Sequence, residues 1–348
     1  MSSPVASHSC AVVKQSSLSA KSPIKDFRFS CFQFLQSQHF PHSLSLSIIV
    51  NHFMALNLQT FKTRTLTAIV FVVIMLGGLL INQWTFLVLF SVIHYGCWIE
   101  YQKLIALIDN DYKNISPFHK YGIRLLGFGF MLWVTTDAFK IGDVALYEIG
   151  WWLLIVMLIA LPIMEIVVSR QFNLKNLGYS FLGLLYISIS LGLLLNIRCG
   201  PAGSKDSLFF GQEFMLVVGE VICLMIIASL WINDTMAYIV GSLIGKTPFS
   251  SISPKKTWEG TIGGAILAVA AVTLTNYFIN DAFISALCIS SITVVFGIMG
   301  DLFESKLKRL ANVKDSGSIM PGHGGFLDRF DSLLFASPFV WLYVRLFM

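Results

Sequence analysis

EIGWWLLIVMLIALPIMEIVV, residues 148–168, decides the fold. Its only charges are Glu148 and Glu165, and the rest is almost wholly apolar. A helix rises about 1.5 Å per residue, so about 20 such residues cross the hydrocarbon core of a bilayer. Working outward, comparable runs lie at 66–83, 84–106, 122–140, 176–197, 213–232, 260–280, 283–300 and 332–347. The stretch 235–245 (TMAYIVGSLIG) is apolar but too short to cross, and reads as a half-helix or a continuation near the interface. The expectation is an all-α polytopic integral membrane protein with about nine transmembrane helices.

Composition agrees. Of 348 residues, 55% are hydrophobic and 12% charged, against about 25% charged in soluble domains. So little charge cannot coat a water-soluble globule of this size. The 29 Phe and 8 Trp suit a lipid-facing surface with aromatic residues at the span ends. The six cysteines contain no C-x-x-C pair and suggest neither a disulfide framework nor a cysteine metal site.

Charge placement orients the spans. With the start of the first span inside, sixteen Lys and Arg, from Lys62 to Arg329, lie on the inner side. Only Lys140, Arg198, Lys205 and Arg345 lie outside. Cytoplasmic loops carry that excess, so the amino terminus is expected inside and the carboxyl terminus outside. The polar loops 241–259 and 301–331 then share the cytoplasmic side, as in a bacterial-type cell membrane.

Residues 1–53 are Ser-rich, hold one acidic residue (Asp26) and lack a long apolar run. Transit leaders and disordered tails share that composition. MALNLQTFKTRTLTAIV, from Met54, also reads as a natural start. Residues 1–53 are therefore expected to be a disordered extension or to precede the true start, and 54–348 to form the transmembrane domain.

Chemistry concentrates in GDLFESKLKRLANVKDSGSIMPGHGGFLDRFDS, residues 300–332. Asp301 and Glu304 are spaced i, i+3 and share a helix face, and Asp328 and Asp331 repeat the spacing. Carboxylates at the mouth of a membrane helix are costly unless they meet water, a cation or a basic partner. Between the pairs, PGHGG (321–325) lets backbone N–H groups approach a ligand, and Lys306, Lys308, Arg309 and Lys314 add cations. Together these fit a divalent metal with a polyphosphate, Mg²⁺ rather than zinc. Taken singly, each feature is also a topology signal, a helix cap or a solvated charge.

A second loop supports the first. Asp234 ends the sixth span, and SPKKTWEG (253–260) places Lys255, Lys256, Thr257, Trp258 and Glu259 before the seventh. Either lysine could meet a triphosphate and Trp258 a base, although Trp258 also suits an interfacial anchor. Gly260, Gly263 and Gly264 also suit close helix packing.

The run Ser305-Lys-Leu-Lys-Arg, Lys314-Asp315, Pro321-Gly-His-Gly-Gly, Asp328-Arg-Phe-Asp331 resembles the signature of the phosphatidate cytidylyltransferase (CDP-diacylglycerol synthase) family. Similar likenesses run from Asn233-Asp-Thr to Gly245-Lys246, across Ser253–Gly260, and at Lys62–Thr67. The resemblance covers about residues 56–348. It implies CTP and phosphatidic acid as substrates, membrane lipids and no nucleic acid as partners, and a homodimer. It also implies Mg²⁺ held by Asp301 and Asp328, paired with K⁺. On that basis Asp331 and Glu304 are expected as outer-shell or second-cation ligands. His323 is expected to donate to the leaving group, and Lys314 is expected among the catalytic residues. Asp234, Lys255, Lys256, Thr257, Glu259, Lys306, Lys308, Arg309, Asp315, Gly322, Gly324, Gly325 and Arg329 are expected to bind substrate. The alternatives are a CTP-dependent lipid kinase of polyprenol type and a cation-coupled transporter using Glu165 and Glu220.

Overall fold

The computed structural model describes residues 58–168, 173–200, 207–250, 252–280, 282–317 and 324–348. Residues 1–57, His323 and Gly322 lie outside the described residues. The chain divides into Met1–Phe61, of which only residues 58–61 are described, and Lys62–Met348. The account below concerns the second unit.

Every expected apolar segment contains a helix. In chain order they are α1 (Leu58–Leu80), α2 (Gln83–Ile108), the short α3 (Asn110–Lys113), α4 (Pro117–Trp133) and α5 (Leu146–Val168). There follow α6 (Leu174–Gly183), a π-helical turn Leu184–Ile189 and α7 (Ser190–Cys199). The last four are α8 (Ser207–Ile244), α9 (Trp258–Asn280), α10 (Phe283–Leu310) and α11 (Leu327–Phe347). Among the described residues six stretches are long and apolar enough to cross a membrane: Leu146–Val167, Leu174–Cys199, Leu216–Ile244, Trp258–Ile279, Phe283–Leu310 and Leu327–Phe347. The chain is an all-α integral membrane protein. In α1 the apolar part, Thr65–Leu80, is short. α2 is long but carries His94, Glu100, Gln102 and Lys103.

One segment differs from expectation, and another takes the second of its two expected forms. The third run was read as 122–140, but its helix starts at Pro117 and ends at Trp133. Ser116 caps it by accepting from the His119 N–H, and a proline at the first helical position needs no donor of its own. At the other end the Thr135 hydroxyl donates to the Leu132 carbonyl at 2.6 Å. A two-stranded hairpin, Lys140–Ile141 (β1) against Val144–Ala145 (β2), then turns the chain through Gly142 at φ 64°. The short stretch 235–245 continues the preceding span, making α8 one helix of 38 residues.

Burial is inverted as a bilayer requires. Trp151, Trp152, Leu158, Ile159, Ile166 and Val167 of α5 are exposed, whereas α2 buries Phe86, Phe90, Trp98 and Tyr101 against its neighbours. Several polar side chains inside the bundle are hydrogen-bonded to one another. His119 contacts Glu165 at 3.1 Å and Ser180 at 2.8 Å, and Ser180 meets Tyr112 at 3.1 Å. Burial pushes the Tyr112 phenol up, and its hydroxyl, Ser180 and His119 form one continuous hydrogen-bonded chain. Glu220 pairs with Arg198 at 2.8 Å. The two acids that a transporter would need are therefore engaged in structural pairs.

Candidate active site

Small residues bring the site together. A Cβ at Gly264 would lie 2.7 Å from the Ala237 nitrogen, and one at Gly260 would lie 2.7 Å from the Ala237 carbonyl. α8 and α9 thus touch backbone to backbone, which sets Lys255–Thr257 beside Asp234. Close packing at Gly260, Gly263 and Gly264 is what the structure bears out. Gly300 does the same for α10 and α11, since a Cβ there would lie 2.6 Å from the Asp331 carbonyl.

The loop between α8 and α9 is pinned at both ends. Glu259 accepts from the Lys246 N–H (3.2 Å), the Thr247 N–H (3.2 Å) and the Thr247 hydroxyl (2.9 Å). Thr257 caps α9 by accepting from the Gly260 N–H at 3.2 Å. The Phe249 N–H donates to the Lys256 carbonyl at 2.8 Å. Trp258 stacks edge-on against Phe249, centroids 4.6 Å apart, and does not line the cavity. Its surroundings are those of an anchor rather than a base-stacking platform.

The result is a cavity of about 590 Å³ lined by Asn233, Asp234, Lys255, Lys256, Thr257, Asp301, Asp328, Asp331 and Ser332, among others. Seven of the sequence-expected residues meet there: Asp234, Lys255, Lys256, Thr257, Asp301, Asp328 and Asp331. Lys256 Nζ lies 2.5 Å from Asp301 Oδ2. Asp331 is buried, its Oδ1 accepting from the Ser332 N–H at 2.6 Å, and it feels the charges of Asp301 and Asp234.

Other expected residues stand back from the cavity. Lys308 is no free cation: it sits between the fully buried Glu304, which it pairs with, and Asp328 Oδ1 at 2.7 Å. Arg309 donates to the Val313 carbonyl at 3.2 Å beyond the end of α10. Lys306, Lys314 and Asp315 are exposed. Arg329 borders a smaller cavity of about 100 Å³ that shares Asp234, Asp328 and Asp331 with the larger one. Gly324 takes φ 79°, and the Gly325 N–H donates to Asp328 Oδ2 at 2.8 Å.

Three residues that sequence reasoning missed complete the site. Glu100 of α2 reaches the base of the 316–327 segment, accepting from the Ser316 hydroxyl at 2.7 Å and the Leu327 N–H at 2.8 Å. An acid within the 84–106 run was the available signal. Tyr186, on the π-helical turn, has a buried hydroxyl with no partner and feels the charges of Asp331, Glu304 and Asp301. π-Helical turns often mark functional positions. The buried Asn233 Oδ1 likewise has no partner.

The cytidylyltransferase family model matches residues 62–347. The chain belongs to the cytidylyltransferase family. Among curated relatives, phosphatidate cytidylyltransferase of Staphylococcus saprophyticus is 31% identical over 80% of this chain and 96% of its own length. Phosphatidate cytidylyltransferase of Bacillus subtilis is 37% identical over 52% of this chain and 63% of its own. Chloroplastic phosphatidate cytidylyltransferase 4 of Arabidopsis thaliana is 35% identical over 49% and 46%. Against the last two, the match spans less than two thirds of the relative.

The cavity of this cytidylyltransferase-family chain offers hard oxygen donors, which suit Mg²⁺. Among the described residues no three His, Cys, Asp or Glu side chains form a ready-made metal cage. Mg²⁺ bound with a nucleotide takes one or two carboxylates and completes its shell with phosphate and water, so the donor set fits.

Proposed function

We propose that the protein transfers the cytidylyl group of CTP to phosphatidic acid, forming CDP-diacylglycerol and pyrophosphate. The observation that supports this most is the cavity itself. In a chain of the cytidylyltransferase family, Asp234, Asp301, Asp328 and Asp331 line one space with Lys255 and Lys256, at the ends of membrane helices. A nucleotide can enter such a space from water while a lipid headgroup enters from the bilayer surface. The names of the relatives supply the two substrates.

A phosphate oxygen of phosphatidic acid attacks the α-phosphorus of CTP. The bond from that phosphorus to the β-bridging oxygen breaks, and pyrophosphate leaves with the electron pair. The phosphate monoester is already ionised near neutral pH, so no strong base is required. The protein's task is to position two anions and offset their charge. Lys255 and Lys256 are placed to receive triphosphate oxygens, and Asn233 to receive a donor group. Asp301 and Asp328 would hold Mg²⁺, with Asp331 and, through Lys308, Glu304 behind them. Bound there, the metal would neutralise charge on the triphosphate and the departing pyrophosphate.

The same reading has nine crossings, the amino terminus in the cytoplasm and the cavity opening to it, supported by the sixteen-to-four division of Lys and Arg. A K⁺ companion to the Mg²⁺ and a pairing of two copies rest on the family resemblance. The deciding experiment incubates purified protein in nanodiscs with phosphatidic acid, Mg²⁺ and α-labelled CTP. Label in the lipid phase is expected. Label from γ-labelled CTP alone would indicate phosphoryl transfer instead and overturn the reading.

A further inference from the structure

We infer that Glu100, on α2, is a positioning residue for Asp328. The inference rests on the proposed function and adds to it a residue outside the signature loops.

Glu100 is 2% exposed and lies inside the bundle. A carboxylate there is costly unless its oxygens are hydrogen-bonded. Its Oε2 accepts from the Ser316 hydroxyl at 2.7 Å and from the Leu327 N–H at 2.8 Å. Leu327 begins α11, and the preceding Phe326 offers no side-chain acceptor. The acid that caps this helix therefore comes from 227 residues upstream. A negative group is favoured at that end of a helix by the exposed N–H groups.

Asp328 also grips the two feet of the 316–327 segment, sharing Ser316 with Glu100 but taking Gly325 where Glu100 takes Leu327. Its Oδ2 accepts from the Ser316 N–H at 2.9 Å and the Gly325 N–H at 2.8 Å, and lies 3.0 Å from the Ser316 hydroxyl, whose one hydrogen the two carboxylates share. Ser316 is thus shared by two carboxylates, one from α2 and one from α11. A Cβ at Gly317 or Gly325 would collide with the Glu100 carboxylate, so glycine is needed at both positions for Glu100 to sit between the feet. Through Ser316 and the start of α11, Glu100 fixes where Asp328 faces the cavity. Among the described residues its Oε1 is buried without a partner, so the contacts on view all run through Oε2.

The test compares Glu100→Ala and Glu100→Gln in nanodiscs. In Glu100→Gln the carbonyl oxygen can occupy the Oε2 position and keep both acceptances. For Glu100→Ala the KM for CTP is expected to rise at least about tenfold, as for loss of a charge-assisted hydrogen bond. The KM for phosphatidic acid should stay within about twofold, and trypsin cleavage after Lys314 should accelerate about tenfold or more. Glu100→Gln should bring the CTP KM and the cleavage rate back to within about threefold of wild type. A purely structural role would lower kcat through loss of active protein, leaving both KM values unchanged, and would overturn the inference. If Glu100→Ala does not fold, Ser316→Ala removes the shared hydroxyl and should shift the CTP KM in the same direction; no shift there also overturns it. Failure of the proposed reaction is separately visible as absence of cytidylyl lipid from wild type. Cleavage after Lys314 then still reads Glu100, and an unchanged rate overturns its role.

Discussion

Lys256 Nζ lies 2.5 Å from Asp301 Oδ2, joining the loop before α9 to the C-terminal part of α10. The lysine placed to meet a triphosphate is, without one, the counter-ion of the carboxylate proposed to hold the metal. On the proposed function, loading the site would exchange partners, with Lys256 turning to phosphate and Asp301 left to hold the cation. Asp301→Asn removes the carboxylate charge with little change of shape. Cytidylyl transfer is expected to fall at least 10²-fold, the scale for losing a main electrostatic group at a reacting centre. Unfolding temperature should change little, because the pair is partly exposed and such pairs contribute little. Transfer to lipid from α-labelled CTP, beside a melting curve, checks both.

Lys308 is bound on both sides, by Glu304 and Asp328. Lys308→Met leaves buried acids without their cation. A loss of about 3–5 kcal/mol is expected, measured as a reduced denaturation midpoint in detergent. Combining it with Glu304→Gln removes one orphaned charge and should recover part of that loss. Equal stability of single and double variants would contradict the assignment.

Glycine positions separate packing from chain flexibility. Gly264→Val should force α8 and α9 apart at Ala237, lowering stability and weakening CTP use more than tenfold. Gly178, mid-α6, has nothing within 4 Å of an added Cβ. Gly178→Ala is expected to be neutral or stabilising by about 0.5–1 kcal/mol. Thermal midpoints of the two variants provide the comparison.

Glu259 and its neighbour Trp258 should behave oppositely. Glu259→Ala frees three donors around residues 246 and 247 and should raise the CTP KM several-fold by loosening the loop that carries Lys255 and Lys256. Trp258→Phe keeps the edge-on contact with Phe249 and should leave that KM within about twofold. Steady-state kinetics with CTP as the varied substrate distinguish the two.

Much of this was legible in the sequence. Helix positions followed from apolar run length, and the signature residues Asp301, Asp328 and Asp331 do meet Asp234 and Lys256. Lys308 was read as part of a cationic wall, although Glu304 stands one helical turn before it and the i, i+4 spacing already allowed a pair. Glu100 was passed over because its partners are 216 and 227 residues away. No local pattern reveals contacts of that range. α4 ends before 140 because Thr135, Thr136 and Asp137 follow Trp133 and Val134, and the Thr135 hydroxyl bonds back to the Leu132 carbonyl.

α8 runs without interruption through 38 residues, about 57 Å at 1.5 Å per residue. Asp234 stands eighteen residues beyond Leu216, the start of its apolar part, or about 27 Å along the axis. One rod therefore has its shank in lipid and one wall of the reaction chamber on its far portion. A tilt of about 10° over that length carries the tip about 5 Å sideways. Helices tilt when bilayer thickness changes, so a change of membrane thickness is expected to alter the width of the cavity and with it the rate of the proposed transfer.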